Sequence, residues 1–449
     1  MATAMHGAVK QAAALARARR YEDALLAYES VLAKNGNDLG VLNECGGLHR
    51  TLGRPQAALG YFDRALKLAP FTVELLINKG TALVALNRFA DALDCFSAAA
   101  AVEPERAEAQ YNASLVRLRL GDFAAGWRGY EWRWRKADWA ASRRNFSAPL
   151  WLGREPIKGK TILLHAEQGL GDTMQFIRYA PLVAGRGARV ILECQAELTG
   201  LLGNVEGVAQ VVARGETLPG FDMHCPLISL PLAFGTLVET IPNAVPYIAP
   251  PPPYLHKWVQ RMAGVVSPRI GLVWAGNPTH YNDRNRSIAL AALEPILGID
   301  GLHFVSLQKS ATAADLTRLR QFGNVTHLGD ELADFADTAA VIAMLDVIVT
   351  VDTATAHLAG AMGKVAALLL PFSADFRWFA ERGDSPWYPT VRLFRQTALG
   401  DWNEPIERLR RELEGVARRP QRQRAPAIAS GGTCVSSPPD RWECTRARM

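Results

Sequence analysis

"VIVTVDTATAHLAGAMGK", Val347–Lys364, changes character within a few residues. Its first five residues are all β-branched, the composition of a strand buried on both faces. After Asp352 and Thr353 come Ala354, Ala356, Ala359, Gly360 and Ala361, small residues that let a helix pack tightly on a sheet. A buried strand running straight into such a helix is half of a βαβ unit. The start of that helix offers free N–H groups and a partial positive charge to an anion. His357 lies one turn in.

The same alternation extends in both directions. "TILLHA" (161–166), "ARVILEC" (188–194), "VAQVVAR" and "FDMHCPL" read as strands, with helix-like segments such as "MQFIRYAPLVAGRG" and "QAELTGLLGNV" between them. A second series holds "RIGLVWAG" (269–276), "HFVSLQ" (303–308), "VTHLG" (325–329), "VIVTV" (347–351) and "VAALLLP" (365–371). Strands alternating with helices predict parallel sheets. Between the series, "VPYIAPPPPYL" (245–255) carries four consecutive prolines, which favour a stiff extended link. Two Rossmann-like α/β domains, 158–250 and 268–415, would then face each other across a cleft. Ligands of such sheets bind at the C-terminal ends of the strands.

Four loops follow strands. "EQGLGDTMQF" has two glycines that permit close backbone approach, and Asp172 at an expected helix start. Capping alone explains an acid there. It leaves Glu167, Gln168 and the glycines unexplained. "WAGNPTHYNDRNRSI" (274–288) sets Arg284 and Arg286 beside Asn277 and Asn282, a group suited to a diphosphate. Gln308 and Lys309 end a strand and have the chemistry to meet a ribose or phosphate. Asp352, Thr353, Ala354 and His357 form the fourth.

The front of the chain repeats. Ala24, Ala58, Ala92 and Gly126 stand 34 residues apart, as do Tyr28, Phe62, Phe96 and Tyr130. Gly46 and Gly80 match, and Pro70 and Pro104 close two units. A small residue at a helix crossing, an aromatic four positions on and a closing proline define a helix–turn–helix unit. This pattern resembles the tetratricopeptide repeat over 5–137. Such units stack into a solenoid that binds peptides or proteins. The last unit contains "WRGYEWRWRK", with Trp127, Trp132 and Trp134 among arginines. It reads either as a stacking surface for a base or sugar or, the favoured reading, as the array's end docking on the next domain with Arg stems over Trp faces. The fold class expected is therefore α + α/β.

Composition narrows the partners. Of 449 residues 49% are hydrophobic and 21% charged, and no 18-residue apolar run occurs, so most of the chain is expected to fold and no membrane span is expected. The net charge is +6, but from Val416 onward seven arginines against two acids supply +5 of it. The remainder is nearly neutral, which argues against a nucleic-acid surface. The Pro-, Ser- and Arg-rich segment 416–449 is expected to be disordered. Cysteines 45, 95, 194, 225, 434 and 444 form no CxxC pair, so no metal site is expected and a reducing cytoplasm fits.

With these loops in view, residues 158 to about 400 resemble glycosyltransferase family 9, the heptosyltransferase-like enzymes. "GLGDTMQF" is similar to that family's acceptor loop, and "VTVDTATAHLAGAMGK" to its DT-x-x-x-HLA-x-x-xG donor motif. The combination with a repeat array is similar to bacterial repeat-containing glycosyltransferases. The resemblance implies the two-domain GT-B fold, with 158–250 taking the acceptor and 268–415 a nucleotide-sugar. It also implies inverting, metal-independent hexosyl or heptosyl transfer with no further cofactor. Asp172 would be the base, Asp352 would contact the transferred sugar, and Thr353, Ala354 and His357 would surround the donor's phosphates and sugar. The family has a lysine where this chain has Arg284 and Arg286, so ADP-heptose is not assumed. The alternative is a protein-binding scaffold with an inactive transferase-like domain.

Overall fold

The computed structural model describes residues 2–140, 143–280 and 282–418. The segment 416–449 expected to be disordered begins in a helix, since Val416 and Ala417 are the last residues of Asn403–Ala417; from 419 on it lies outside the described residues.

Eight helices form four antiparallel pairs: α1 (Ala2–Arg17) with α2 (Tyr21–Leu32), α3 (Leu39–Thr51) with α4 (Pro55–Leu68), α5 (Val73–Ala85) with α6 (Phe89–Val102), and α7 (Ala107–Arg119) with α8 (Phe123–Tyr130). The turn within each pair closes on a left-handed residue, and these also stand 34 apart: Arg19, Gly53, Asn87 and Gly121, with φ between 56° and 87°. The aromatic positions explain the matching glycines. A β-carbon on Gly46 would lie 2.4 Å from the Phe62 ring, and one on Gly80 2.5 Å from the Phe96 ring. Each aromatic thus seats in a hole where the preceding inner helix has no side chain.

The last pair leaves the pattern. Behind α8 the chain tightens into a 3-10 turn, Glu131–Arg135, and the helix's aromatics enter the core of the second half. Trp127 is buried edge-on against Phe176, Phe376 and Trp387, with ring centroids 6.0, 5.9 and 6.4 Å away. Phe123 stacks on Phe379. Arg133 covers the rings of Tyr130 and Trp134, and Arg135 covers Trp132. The tryptophan–arginine stretch is therefore a docking surface inside the chain.

Two parallel sheets follow. The first has β1 (Thr161–His165), β2 (Arg189–Cys194), β3 (Val208–Ala213) and β4 (Met223–Pro226) in the order β3-β2-β1-β4. The second has β5 (Arg269–Val273), β6 (His303–Ser306), β7 (Val325–His327), β8 (Val347–Val351), β9 (Ala366–Leu370) and β10 (Val391–Arg395) in the order β10-β9-β8-β5-β6-β7. All pairings between these strands are parallel. The β-branched run Val347–Val351 is buried at every residue, as a strand covered on both faces must be.

Two features differ from the sequence reading. Strand β10, "VRLFR", is not among the strands expected from sequence. It is a sheet edge whose two half-exposed arginines interrupt the apolar run. The proline run is only partly an extended link, because Pro252 starts a helix, Pro252–Arg261. Proline is tolerated there, since the first helical N–H groups lack partners anyway. That helix belongs to the second unit: Trp258 Nε1 and Lys257 Nζ donate to Asp337 at 2.7 and 2.8 Å.

Each sheet order reverses at one point, between β1 and β4 in the first and between β5 and β8 in the second. The C-terminal ends of strands beside such a reversal form a crevice where ligands bind. Both crevices open on the same space. Among the described residues no helix is long and apolar enough to cross a membrane.

Candidate functional site

A cavity of about 880 Å³ lies between the two sheets and the last repeat. Three walls enclose it. The loop after β1 and the helix Leu170–Phe176 supply Gln168 to Asp172. The second sheet supplies the loops after β5, β6, β8 and β9. The repeat array supplies Tyr111, Leu115 and Arg119, spaced four apart on one face of α7, together with Tyr130.

Asp172 has two partners. Its Oδ2 accepts the Gly169 N–H at 2.8 Å, which closes the helix start. Its Oδ1 accepts from Arg377 Nη2 at 2.5 Å. Arg377 stands in the turn Phe376–Trp378 after β9, and its Nη1 donates to Asp375 Oδ1 at 2.8 Å. One guanidinium of the second unit thus joins the acid of the first unit to an acid of its own loop. Burial works against the charge on Arg377, but Asp172, Asp375 and Tyr130 outweigh it and hold its pKa well above the usual range.

The helix Ala354–Ala361 meets the Leu170–Phe176 helix at their N-terminal ends. A β-carbon on Gly171 would lie 2.6 Å from His357 Cδ2 and 3.4 Å from Ala354 Cα. His357 is fixed by a 3.0 Å contact between Nδ1 and the Tyr388 hydroxyl and by stacking on Trp378. Burial, reinforced by the charge of Arg377, pushes its pKa down to about 3, so the ring is neutral at physiological pH. Asp352 is pushed up to about 6 by burial and then by the neighbouring Asp375. Burial disfavours the Asp375 anion, yet Arg377 overcomes this and holds that carboxyl below its ordinary value. The two neighbouring carboxyls are thus shifted in opposite directions.

Of the residues predicted from sequence, Asp172, Asn277, Arg286, Gln308, Asp352, Thr353, Ala354 and His357 all line the cavity. Arg286 lies across Gly276, where a β-carbon would sit 2.5 Å from its Nη2, and donates to the Asp352 carbonyl at 2.9 Å. Gln308 ties the ends of β5 and β6 together. Its Oε1 accepts from the N–H groups of Trp274 and Ala275, and its Nε2 donates to the carbonyls of Ala275 and Lys309. Asn277 Oδ1 accepts from both the N–H and the hydroxyl of Thr279, a turn within its own loop.

Arg284 is a correction. It points out of the cavity to the repeat array, where Nη1 donates to the Thr51 carbonyl at 3.2 Å and the guanidinium packs on Gly53. Its helical turn, Asp283–Arg286, is only four residues long and turns the two arginines to different sides.

Arg377, Asp375 and Tyr388 are not among the residues that sequence reasoning singles out. The signal available is an acid and a base two apart, "DFR", in the loop that follows a buried strand. Among the described residues no cluster of three or more His, Cys, Asp or Glu side chains is arranged to hold a metal ion.

A helical array joined to two parallel α/β units is the class this architecture defines. The tetratricopeptide repeat family matches residues 9–71 and 77–127. Protein FlbA of Caulobacter vibrioides is 25% identical over 444 residues, spanning 92% of this chain and 73% of that protein. An uncharacterized protein of Methanocaldococcus jannaschii is 38% identical over 61 residues, 14% of this chain and 71% of its own length. Solved structures with similarity include the MamA protein (21% identity, TM-score 0.28, covering 30% of this chain and 74% of that one). A thermophilic repeat protein of Thermus thermophilus gives 21% identity and a TM-score of 0.28, covering 30% and 75%. The N-terminal part of the chain therefore carries tetratricopeptide repeats.

Proposed function

We propose that the chain is a glycosyltransferase of the GT-B type. It would transfer a sugar from a nucleotide-sugar to a hydroxyl of a glycan, lipid or protein, with inversion and without a metal, while the array recruits the acceptor or a partner. The observation that carries this reading is the meeting of two helix starts at one cavity. One presents a carboxylate, Asp172; the other, Ala354–Ala361, presents free N–H groups beside Arg286. In this reading Asp172 takes the proton of the acceptor hydroxyl and the oxygen attacks the anomeric carbon. The bond to the diphosphate breaks with its electron pair, and Arg286 and the helix start stabilise the departing anion.

The test is a panel of UDP-, GDP- and ADP-sugars scored by stabilisation of the full chain. A donor at 100 times its dissociation constant adds roughly 2.7 kcal/mol. No stabilisation by any member would leave the second reading, an interaction scaffold with an inactive transferase-like half. The observation favouring that reading is that Arg286 and Gln308 already engage protein groups.

A further inference from the structure

We infer that Arg377 is the positioning residue of Asp172, and that the segment carrying it, Phe372–Trp378, couples the repeat array to that carboxylate. The inference rests on the reading of Asp172 as the base. The segment is held from both sides. On the array side, Asn87 Nδ2 donates to the Phe372 carbonyl at 2.8 Å, the Ser373 hydroxyl donates to the Val84 carbonyl at 2.8 Å, and Arg119 Nη1 donates to Ser373 Oγ at 3.1 Å. Helix α5, the turn that ends it and the end of α7 thus grip two adjacent residues. On the other side, Asp375 accepts from the backbone N–H of Arg377 and from its Nη1, which fixes the turn and aims the guanidinium. The far end of that guanidinium meets Asp172.

The path from array to carboxylate is short and runs through hydrogen bonds and one ion pair. Arg377 is buried and can reach Asp172 only while its own turn is in place. Asn87 occupies the left-handed position of its repeat, so the turn geometry that suits the solenoid also aims this side chain at the segment. A movement of α5 or α7 when a partner occupies the array is carried by the segment to the carboxylate.

The experiment uses the full chain, with R377Q, R377K, N87G, D172N and the doubles R377Q/D172N and N87G/D172N. Glycine suits the left-handed backbone at 87, so N87G removes the side chain without strain. ADP, GDP and UDP binding is measured by calorimetry, and turnover with the sugar nucleotide that the panel identifies. We expect R377Q to lower kcat by ~10-fold or more while the dissociation constant of the diphosphate stays within ~3-fold. R377K recovers part of the loss, and N87G lowers kcat in the same direction. With Asn at 172 neither substitution lowers turnover further, because a residue acting through Asp172 has nothing left to position. Losses that multiply with D172N overturn the proposal. So does a diphosphate affinity that falls in step with kcat/KM, which would make Arg377 a donor-binding cation. If wild type turns over no sugar nucleotide, the glycosyltransfer reading fails separately. Denaturation of the same variants then decides the coupling, which additive stabilities of R377Q, N87G and D172N would refute.

Discussion

Gly171 and His357 touch across the two α/β units, with no room for a single added carbon between them. Their contact brings two helix starts from different sheets to one point. The imidazole is pinned by Tyr388 and Trp378 and has little freedom to retreat. Gly171→Ala should therefore cost about 1–3 kcal/mol as an overpacking substitution. Urea denaturation measures this directly. A variant as stable as wild type would show that the units part easily.

Asp172→Asn keeps an oxygen able to accept the Gly169 N–H but cannot take a proton. Turnover should fall by ~10²–10⁴ with nucleoside diphosphate binding nearly unchanged. An unaltered rate would remove Asp172 from the base role.

The two arginines of the β5 loop should separate cleanly. Arg286→Ala removes a cation from the cavity and should weaken ADP, GDP or UDP binding by about 10-fold, a loss of roughly 1.4 kcal/mol. Arg284→Ala removes an exposed contact to Thr51 and should leave that affinity alone. Equal losses from both would mean that the loop binds as a unit.

Glu167 is buried between the array and the first sheet, where Arg133 Nη2 and the Ile228 N–H reach its Oε1 at 3.3 and 3.2 Å. Burial, only partly offset by Arg133, pushes its pKa from 4.5 to about 7. A carboxyl with a raised pKa takes up a proton on folding. Its favourable share of stability is complete below pH 4.5 and is lost as pH rises toward 7. Relative to Glu167→Gln, wild type should therefore lose on the order of 2 kcal/mol across that window. Paired denaturation curves at pH 4.5 and 7.5 check it, and a difference independent of pH would contradict it.

Trp127 belongs to the same core as the first sheet and one face of the second. Trp127→Ala should cost about 3–5 kcal/mol. Because that core is shared, the fourth repeat should unfold together with the α/β units. Far-ultraviolet dichroism and tryptophan fluorescence should trace one coincident transition in wild type. An early loss of the whole helical signal with unchanged fluorescence would show the array melting alone.

The repeat was legible because its period is a property of the chain: holes at Gly46 and Gly80 and fillers at Phe62 and Phe96 are spaced as written. The β-branched run Val347–Val351 and the small-residue helix behind it were legible because burial on both faces leaves few residue types. Arg377 was not, since its meaning comes from Asp172, 205 positions away, and from a turn of ordinary composition. Arg284 misled for the opposite reason. It has the right chemistry beside Arg286, but side-chain direction on a single helical turn is invisible in a string of letters. β10 was hidden by arginines that an edge strand tolerates and a central strand does not.

The left-handed turns at 34-residue intervals also bear on how such a chain can grow. The second, third and fourth repeats each touch the α/β half, through Thr51, through Val84 and Asn87, and through α7 and α8. Duplicating any of these units internally would shift every contact on one side of the insertion out of phase. Extra units can be spliced in ahead of α3 without disturbing them. An added unit is thereby expected to be tolerated ahead of α3 and to disrupt the α/β contacts anywhere behind it.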